Sequence, residues 1–449
     1  MRPRARWLLG LAALLFASTC GAAPPAGDAA AQREDLDVFE RQFFQIDHAF
    51  SPEARVEAAA SIADVRAHLG LMSEARFVVR LAQIAALADN GHTAMIDLGH
   101  LPSMARVGLR LTPFRDGFFV VRAYGNEADL LGCRLMAIDD VPIARLRDAA
   151  RTLRGGVPSW RDRWAPLLFE RPGELYALGV TRSATQATYR LACRDGSTRD
   201  RTLSAAARLA GGWDELVEVF DGSDRFSGWT PLLPADRAPW ALREFTVPFR
   251  RRDVPDLDAI VIQLHANTDR DGQSIAQFLE DADAERHRAG RANVVLDMRF
   301  NGGGNLTLTR AFFSSLPRRL PSDGRVVVLM SPWTFSAAIS SIGYLKQADP
   351  SRVILVGEGP GDRLQFWAEG HAFPLPNTGA LMLPATERHD YFDGCRRFAD
   401  CHSYVSRFPI AVPSLAPEVA APWTIDDFAA GRDPGMDAAA RLLARAPRE

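Results

Sequence analysis

Lysine is almost absent from this chain. One residue, Lys346, stands among 53 basic side chains, the rest being arginine. Any chemistry that needs an amine base therefore has a single candidate, because a guanidinium stays protonated and cannot accept a proton. A large net charge is also lacking. The formal value is −2 and gives no electrostatic reason to expect nucleic acid as a partner. After the first two dozen residues no apolar run approaches the ~18 residues of a membrane span. Cysteine is scarce, with five residues. What remains is a globular composition, 47% hydrophobic and 24% charged, in 449 residues, enough for two to three domains.

Residues 1–23 have the layout of a secretory signal peptide. Arg2, Arg4 and Arg6 precede the apolar run Trp7 to Phe16, and Cys20-Gly21-Ala22 or Gly21-Ala22-Ala23 offers a cleavage site. Ala17-Ser18-Thr19-Cys20 is an imperfect lipidation site, since Thr19 is larger than the usual Gly or Ala. The expectation is a periplasmic or secreted protein, with a lipid anchor at Cys20 as the alternative. Four cysteines then remain. In an oxidising compartment they predict disulfides, which four cysteines can form in three ways. Cys395 with Cys401 and Cys133 with Cys193 is the expected set. Zinc on His389, Cys395, Cys401 and His402 is the competing reading, disfavoured by compartment and by the six-residue spacing.

A Pro/Ala-rich linker, Pro24 to Gln32, leads into a helical segment from Glu34 to about Leu87. There Leu36, Phe39, Phe43 and Ile46, then Ala58, Ile62, Val65 and Leu69, then Val78, Leu81 and Ile84 recur at helical spacing. Ala88 to Thr93 is a turn. From Val107 to about Leu203 the pattern becomes short strands, with one helix expected over Ala144 to Leu153. Residues 211–252 show weak periodicity and read as a connector wrapping a core. Beyond them strand and helix alternate: strands at Ile260–Leu264, Val294–Leu296, Val326–Met330 and Val353–Gly357, and helices over 272–289, 306–316 and 335–348. That alternation predicts a layered α/β domain with right-handed crossovers.

Two segments of this domain carry chemistry. The strand ending at Leu296 runs into Asp297-Met298-Arg299-Phe300-Asn301-Gly302-Gly303-Gly304, where glycines permit a tight turn that aims N–H groups outward. The strand Val326–Met330 runs through Ser331-Pro332 to Thr334-Phe335-Ser336-Ala337-Ala338. This places Ser336 near a helix N-terminus, whose N–H groups favour negative charge. Both segments belong at the carboxyl end of one sheet.

At these residues the chain resembles the tail-specific (C-terminal-processing) and tricorn-core serine peptidases, whose hallmark turn is Asp-x-Arg-x-Asn-x-Gly-Gly. Arg299 to Gly304 looks closest to the tricorn branch. The resemblance implies a crotonase-like layered αβ core at 206–449, with its connector. It also implies a linker and helical domain at 24–104 and a PDZ-like β insert at 105–205 that captures a peptide C-terminus on backbone N–H groups. The implied activity is peptide-bond hydrolysis on peptide or protein substrates. No metal or cofactor is expected, since Gly357 to Arg363 lacks the Gly-Lys-Ser/Thr ending of a phosphate loop.

A serine nucleophile needs a base. The processing branch uses a lysine in the segment corresponding to Gly357–Arg363, where this chain has Arg363. Lys346 lies ten residues past Ser336, ~15 Å along a helix. The tricorn branch uses a histidine in a Gly-His-Ser/Thr context, which Asn90-Gly91-His92-Thr93 matches, so His92 is the expected base. Gly303 and Ala337 N–H are the expected oxyanion donors, with Gly302 and Gly304 as register alternatives. Asp297, Arg299 and Asn301 are expected to brace the turn. Ser340 and Ser341 are alternatives to Ser336, and His389 to His92; His265 reads as a packed histidine. The tricorn pattern adds a glutamate shortly before the segment that resembles Pro417-Glu418. Residues 408–413 contain no acid, which leaves Glu358, Glu387 and Asp390 as substitutes and a catalytically inactive homologue that binds peptide or an apolar ligand as the rival reading.

Overall fold

The computed structural model describes residues 27–444 except 97–100, 210–214, 224, 271 and 397–398. The leader and Cys20 lie outside those residues. Within them the chain is a mixed α/β fold of several sheets.

Three helices, Ala29–Val38, Pro52–Ala67 and Glu74–Ala86, bury the predicted apolar stripe, including Leu36, Ile62, Val65, Val78 and Leu81. The first begins at Ala29, inside the stretch read as linker, because Asp28 accepts the N–H groups of Ala30 and Ala31 as an N-cap. Ile46 departs from the expected stripe and is 44% exposed. The π-turn Phe39–Phe44 ends the periodicity before it. Leu375, Ala380 and Met382, from much later in the chain, complete this core. The strand Leu381–Leu383 brings them there by pairing with Ala94–Ile96.

The middle segment is a mainly antiparallel sheet. Its order is Leu109–Phe114, Gly117–Tyr124, Arg134–Ile138, Gln186–Ala192 and Thr198–Ser204. The Ile143–Arg151 helix matches the expected one. A second helix, Pro158–Phe169, was not legible in the sequence. It has Pro166 in its interior, and its two tryptophans, Trp160 and Trp164, are interleaved with charged residues. A disulfide joins Cys133 to Cys193, next to the paired residues Arg134 and Ala192. Cys395 is joined to Cys401.

The C-terminal half is built on a six-stranded sheet. Its order is Val419–Ala420, Val353–Gly357, Val326–Met330, Asn293–Asp297, Ala259–Leu264 and Phe249–Val254. All pairs are parallel except the last. Val, Ile and Leu fill the central strands, which are buried on both faces between helices. The edge strand Phe249–Val254 lies in the stretch read as connector. Arg250 to Arg252 hide it from an apolar pattern, and such charges suit an edge. Register aligns Asp297 with Leu329 and Met330 with Gly357. The loops after three neighbouring strands therefore leave the sheet side by side.

Candidate active site

Ser336 is the residue immediately before the Ala337–Ala348 helix and adopts φ 54°, ψ −125°. A non-glycine residue at positive φ is strained and is held there only by its surroundings. The restraints are visible. Thr334 Oγ1 donates to Met298 O at 2.8 Å, and Phe335 N–H donates to Asn301 O at 3.0 Å. These bonds tie the serine loop to the glycine turn. Gly303 has φ 105°, and a Cβ on it would lie 2.6 Å from Ser336 Cβ and 3.1 Å from Ala337 N. The turn can approach the serine only because position 303 lacks a side chain.

Ala337 N–H has no acceptor among the described residues, and neither do Gly302 and Gly304 N–H. Gly303 N–H, by contrast, donates to Asn301 Oδ1 at 2.9 Å. Asn301 Nδ2 donates to Asn267 Oδ1 at 2.9 Å. Asn267 in turn donates to Thr309, Ser341 and the Ala337 carbonyl. Asn267 was missed in the sequence because it sits in a loop with no motif of its own. Behind the turn Arg299 is clamped between Asp297 and Asp433, at 2.8 and 2.7 Å. Burial pushes the Asp297 carboxyl up, but Arg299 overrides it and holds it below the usual range.

His92 sits in a turn locked by buried polar contacts. Asn90 Nδ2 donates to Thr93 Oγ1 and Trp367 O, and Thr93 donates to Asp47 Oδ2 at 2.7 Å. Asp89 is gripped by Arg161 and by Arg363, whose Nη2 is 2.6 Å from Asp89 Oδ2. Arg363 thus joins its own loop to the histidine turn. The His92 ring lies between Phe335 and Phe366, with centroids at 4.3 and 5.1 Å. Its Nδ1 is 3.5 Å from Asp362 Oδ2, an oxygen that is fully buried and has no hydrogen bond. Neither ring nitrogen has a hydrogen-bonding partner among the described residues, so no hydrogen bond joins His92 to Ser336 Oγ in this state.

Asp362 is the acidic side chain that faces His92, and the sequence reading did not single it out. Its signal in the sequence is its place beside Arg363 in the glycine-rich loop after Val353–Gly357. The three acids weighed from the sequence lie elsewhere. Asp390 accepts from Gln365 and from the N–H groups of Phe392 and Asp393. Glu387 shares its strand, and Glu358 lines the cavity between the middle segment and the core, whose wall does not include His92. His389 stacks on the far side of Phe366 and bonds Glu369 at 3.0 Å and Tyr391 at 2.8 Å. Ser340 and Ser341 both donate to the Ala337 carbonyl inside the helix. Lys346 Nζ donates to Val353 O at 2.6 Å and pairs with Glu418. His265 is packed on Phe245 with ring centroids 4.7 Å apart, and burial depresses its pKa to about 4.

No protein family and no curated protein matches the chain at the sequence level. Solved structures do. Mature CPAF superposes with a TM-score of 0.58 at 12% identity, over 92% of this chain and 97% of that one. Mature CPAF complexed with lactacystin gives 0.57 at 13%, over 92% and 98%. The chain shares the fold of the tail-specific peptidases. The photosystem II D1 C-terminal processing protease is a looser match, with a TM-score of 0.39 at 14% identity over 93% and 97%. In the tail-specific fold of this chain, the loops after strands Asn293–Asp297, Val326–Met330 and Val353–Gly357 supply the glycine turn, Ser336 and Asp362. The helical segment supplies His92. Among the described residues no helix is long and apolar enough to cross a membrane.

Proposed function

We propose that the chain is an exported serine endopeptidase in which Ser336, His92 and Asp362 form one proton-transfer unit. Ser336 attacks the scissile carbonyl, His92 takes its proton and returns it to the leaving amine, and water hydrolyses the acyl-enzyme. The carrying observation is the buried, unpartnered Asp362 Oδ2 facing Nδ1 of a histidine clamped against the residue next to Ser336. Such a carboxylate fixes the tautomer and stabilises the imidazolium. Ala337 N–H is the oxyanion donor with no acceptor of its own. Gly303 N–H serves as the second by sharing or leaving Asn301 Oδ1.

On this reading residues 1–23 are a removable leader, 24–104 the linker and helical domain, 105–205 a PDZ-like insert, and 206–449 the connector and a crotonase-like core. The two disulfides suit an oxidising compartment. A specific observation favours the rival reading of an inactive peptide-binding homologue: the Ser336–His92 hydrogen bond is not made. Apo sites often tighten only with substrate.

The test is fluorophosphonate labelling of the exported protein with mapping of the adduct. The expected result is one adduct at Ser336, lost in Ser336→Ala and in His92→Ala. An unlabelled wild type that cleaves no peptide mixture would establish the rival.

A further inference from the structure

We propose that the cavity between the middle segment and the core is the specificity pocket of this site. It would take a peptide segment in which a carboxylate stands next to an aromatic side chain. The proposal rests on the peptidase reading above for its substrate, though not for its binding.

The cavity has a volume of about 470 Å³, within the range of ordinary ligand pockets. Its core-side wall is Arg299, Phe300, Ser331, Pro332 and Trp333. These residues run directly into the glycine turn and into Ser336, so an occupant lies along the chain segments that carry the site, although Ser336 and His92 are not themselves in the wall. Its outer wall comes from the hairpin of Leu109–Phe114 with Gly117–Tyr124 and from the Pro158–Phe169 helix.

The wall chemistry is aromatic and cationic. Phe114, Phe118, Phe300, Trp333 and Trp423 supply ring faces and edges. Arg115, Arg147, Arg151 and Arg163 outnumber Asp162 and Glu358. Arg147 and Arg151 both bind Asp162, so that one carboxylate is shared between two guanidiniums. Arg163 lies over the Trp333 ring at 3.5 Å and the Trp160 ring at 4.3 Å. Arg115 is exposed at the hairpin turn, and its side chain has no hydrogen-bond or ion-pair partner among the described residues. Arg299 is held by Asp297 and Asp433 and adds no uncompensated charge. A peptide ring would stack in the pocket while its neighbouring carboxylate meets Arg115. A lysine in that place would face several guanidiniums. The carboxylate can belong to an Asp or Glu side chain or to the peptide's own C-terminus.

The experiment uses the full chain as Ser336→Ala and fluorescence anisotropy with three labelled octapeptides. One is C-terminally amidated with a central Phe flanked by Glu on both sides. The second replaces both Glu by Lys. The third has no charged side chain and ends in Phe with a free carboxylate. One of the two carboxylate peptides should bind at least roughly tenfold tighter than the Lys peptide at low salt. The gap should narrow as salt rises, because an exposed contact is screened. Whichever binds tighter identifies the source of the carboxylate. Adding Arg115→Glu should reduce the preference at least about fivefold. Equal binding of all three peptides, tighter binding of the Lys peptide, or a preference unchanged by Arg115→Glu would overturn the pocket assignment. Binding is read without hydrolysis. A preference that stands while the wild type cleaves nothing therefore removes the peptidase reading and keeps the pocket, and cleavage without a preference does the reverse.

Discussion

Asp362→Asn removes one charge from the His92 ring and little else. The retained Oδ1 still accepts the Arg363 N–H, a 2.8 Å contact in the native protein. The lost oxygen is 3.5 Å from His92 Nδ1 and fully buried. When His92 takes the serine proton its ring becomes positive. At 3.5 Å and an effective dielectric of about 20, Coulomb's law gives 332/(20 × 3.5), about 5 kcal/mol of attraction. With each ~1.4 kcal/mol worth tenfold, kcat/KM should fall by roughly 10³. The drop should appear mainly in kcat, because the imidazolium exists only along the reaction path. Fluorophosphonate labelling of Ser336 should slow in parallel, while circular dichroism and the melting temperature stay near wild type. A folded Asp362→Asn protein retaining activity within about fivefold would refute the charge argument and leave His92 without its acid.

Lys346→Met should leave kcat within a few-fold of wild type but lower the melting temperature. Its ammonium holds the Val353 carbonyl and Glu418 rather than the site; loss of peptide cleavage in a folded Lys346→Met protein would contradict this. Gly303→Ala should abolish labelling at Ser336, because its Cβ would sit 2.6 Å from the serine Cβ at a φ of 105°. An active Gly303→Ala enzyme would show that the turn does not abut the serine. His265 is held neutral by burial, which outweighs the favourable Asp297 charge, with a folded pKa of about 4 against an ordinary value of 6.5. As pH falls through 6.5 the unfolded chain takes up a proton that the folded one refuses, so stability declines until about pH 4 and the total loss is about 3 kcal/mol. Urea unfolding at pH 7 and 4.5 should show a smaller acid loss in His265→Asn than in wild type; equal losses would refute the assignment.

The sequence by itself determined the strands whose apolar runs are continuous. Val326–Met330 and Val353–Gly357 appear with the bounds read for them, because a strand buried on both faces must be apolar throughout. It also determined the glycine turn and the serine before a helix, since each depends on neighbours in the chain, and it limited the disulfides to three pairings, of which the folded chain holds Cys133–Cys193 and Cys395–Cys401. It hid the edge strand Phe249–Val254, whose run of three arginines breaks the apolar pattern, and the proline- and tryptophan-rich Pro158–Phe169 helix. Only the tertiary structure decided what faces His92. Asp362 and His92 are far apart in the chain and meet because the helical segment docks, through Asp89 and Arg363, on the loop after Val353–Gly357. Glu358, Glu387 and Asp390 looked equivalent to Asp362 as letters. Asp390 is at least as buried, and what distinguishes Asp362 is a buried oxygen that faces His92 with no hydrogen bond among the described residues, a property of the packed chain rather than of any local stretch of it.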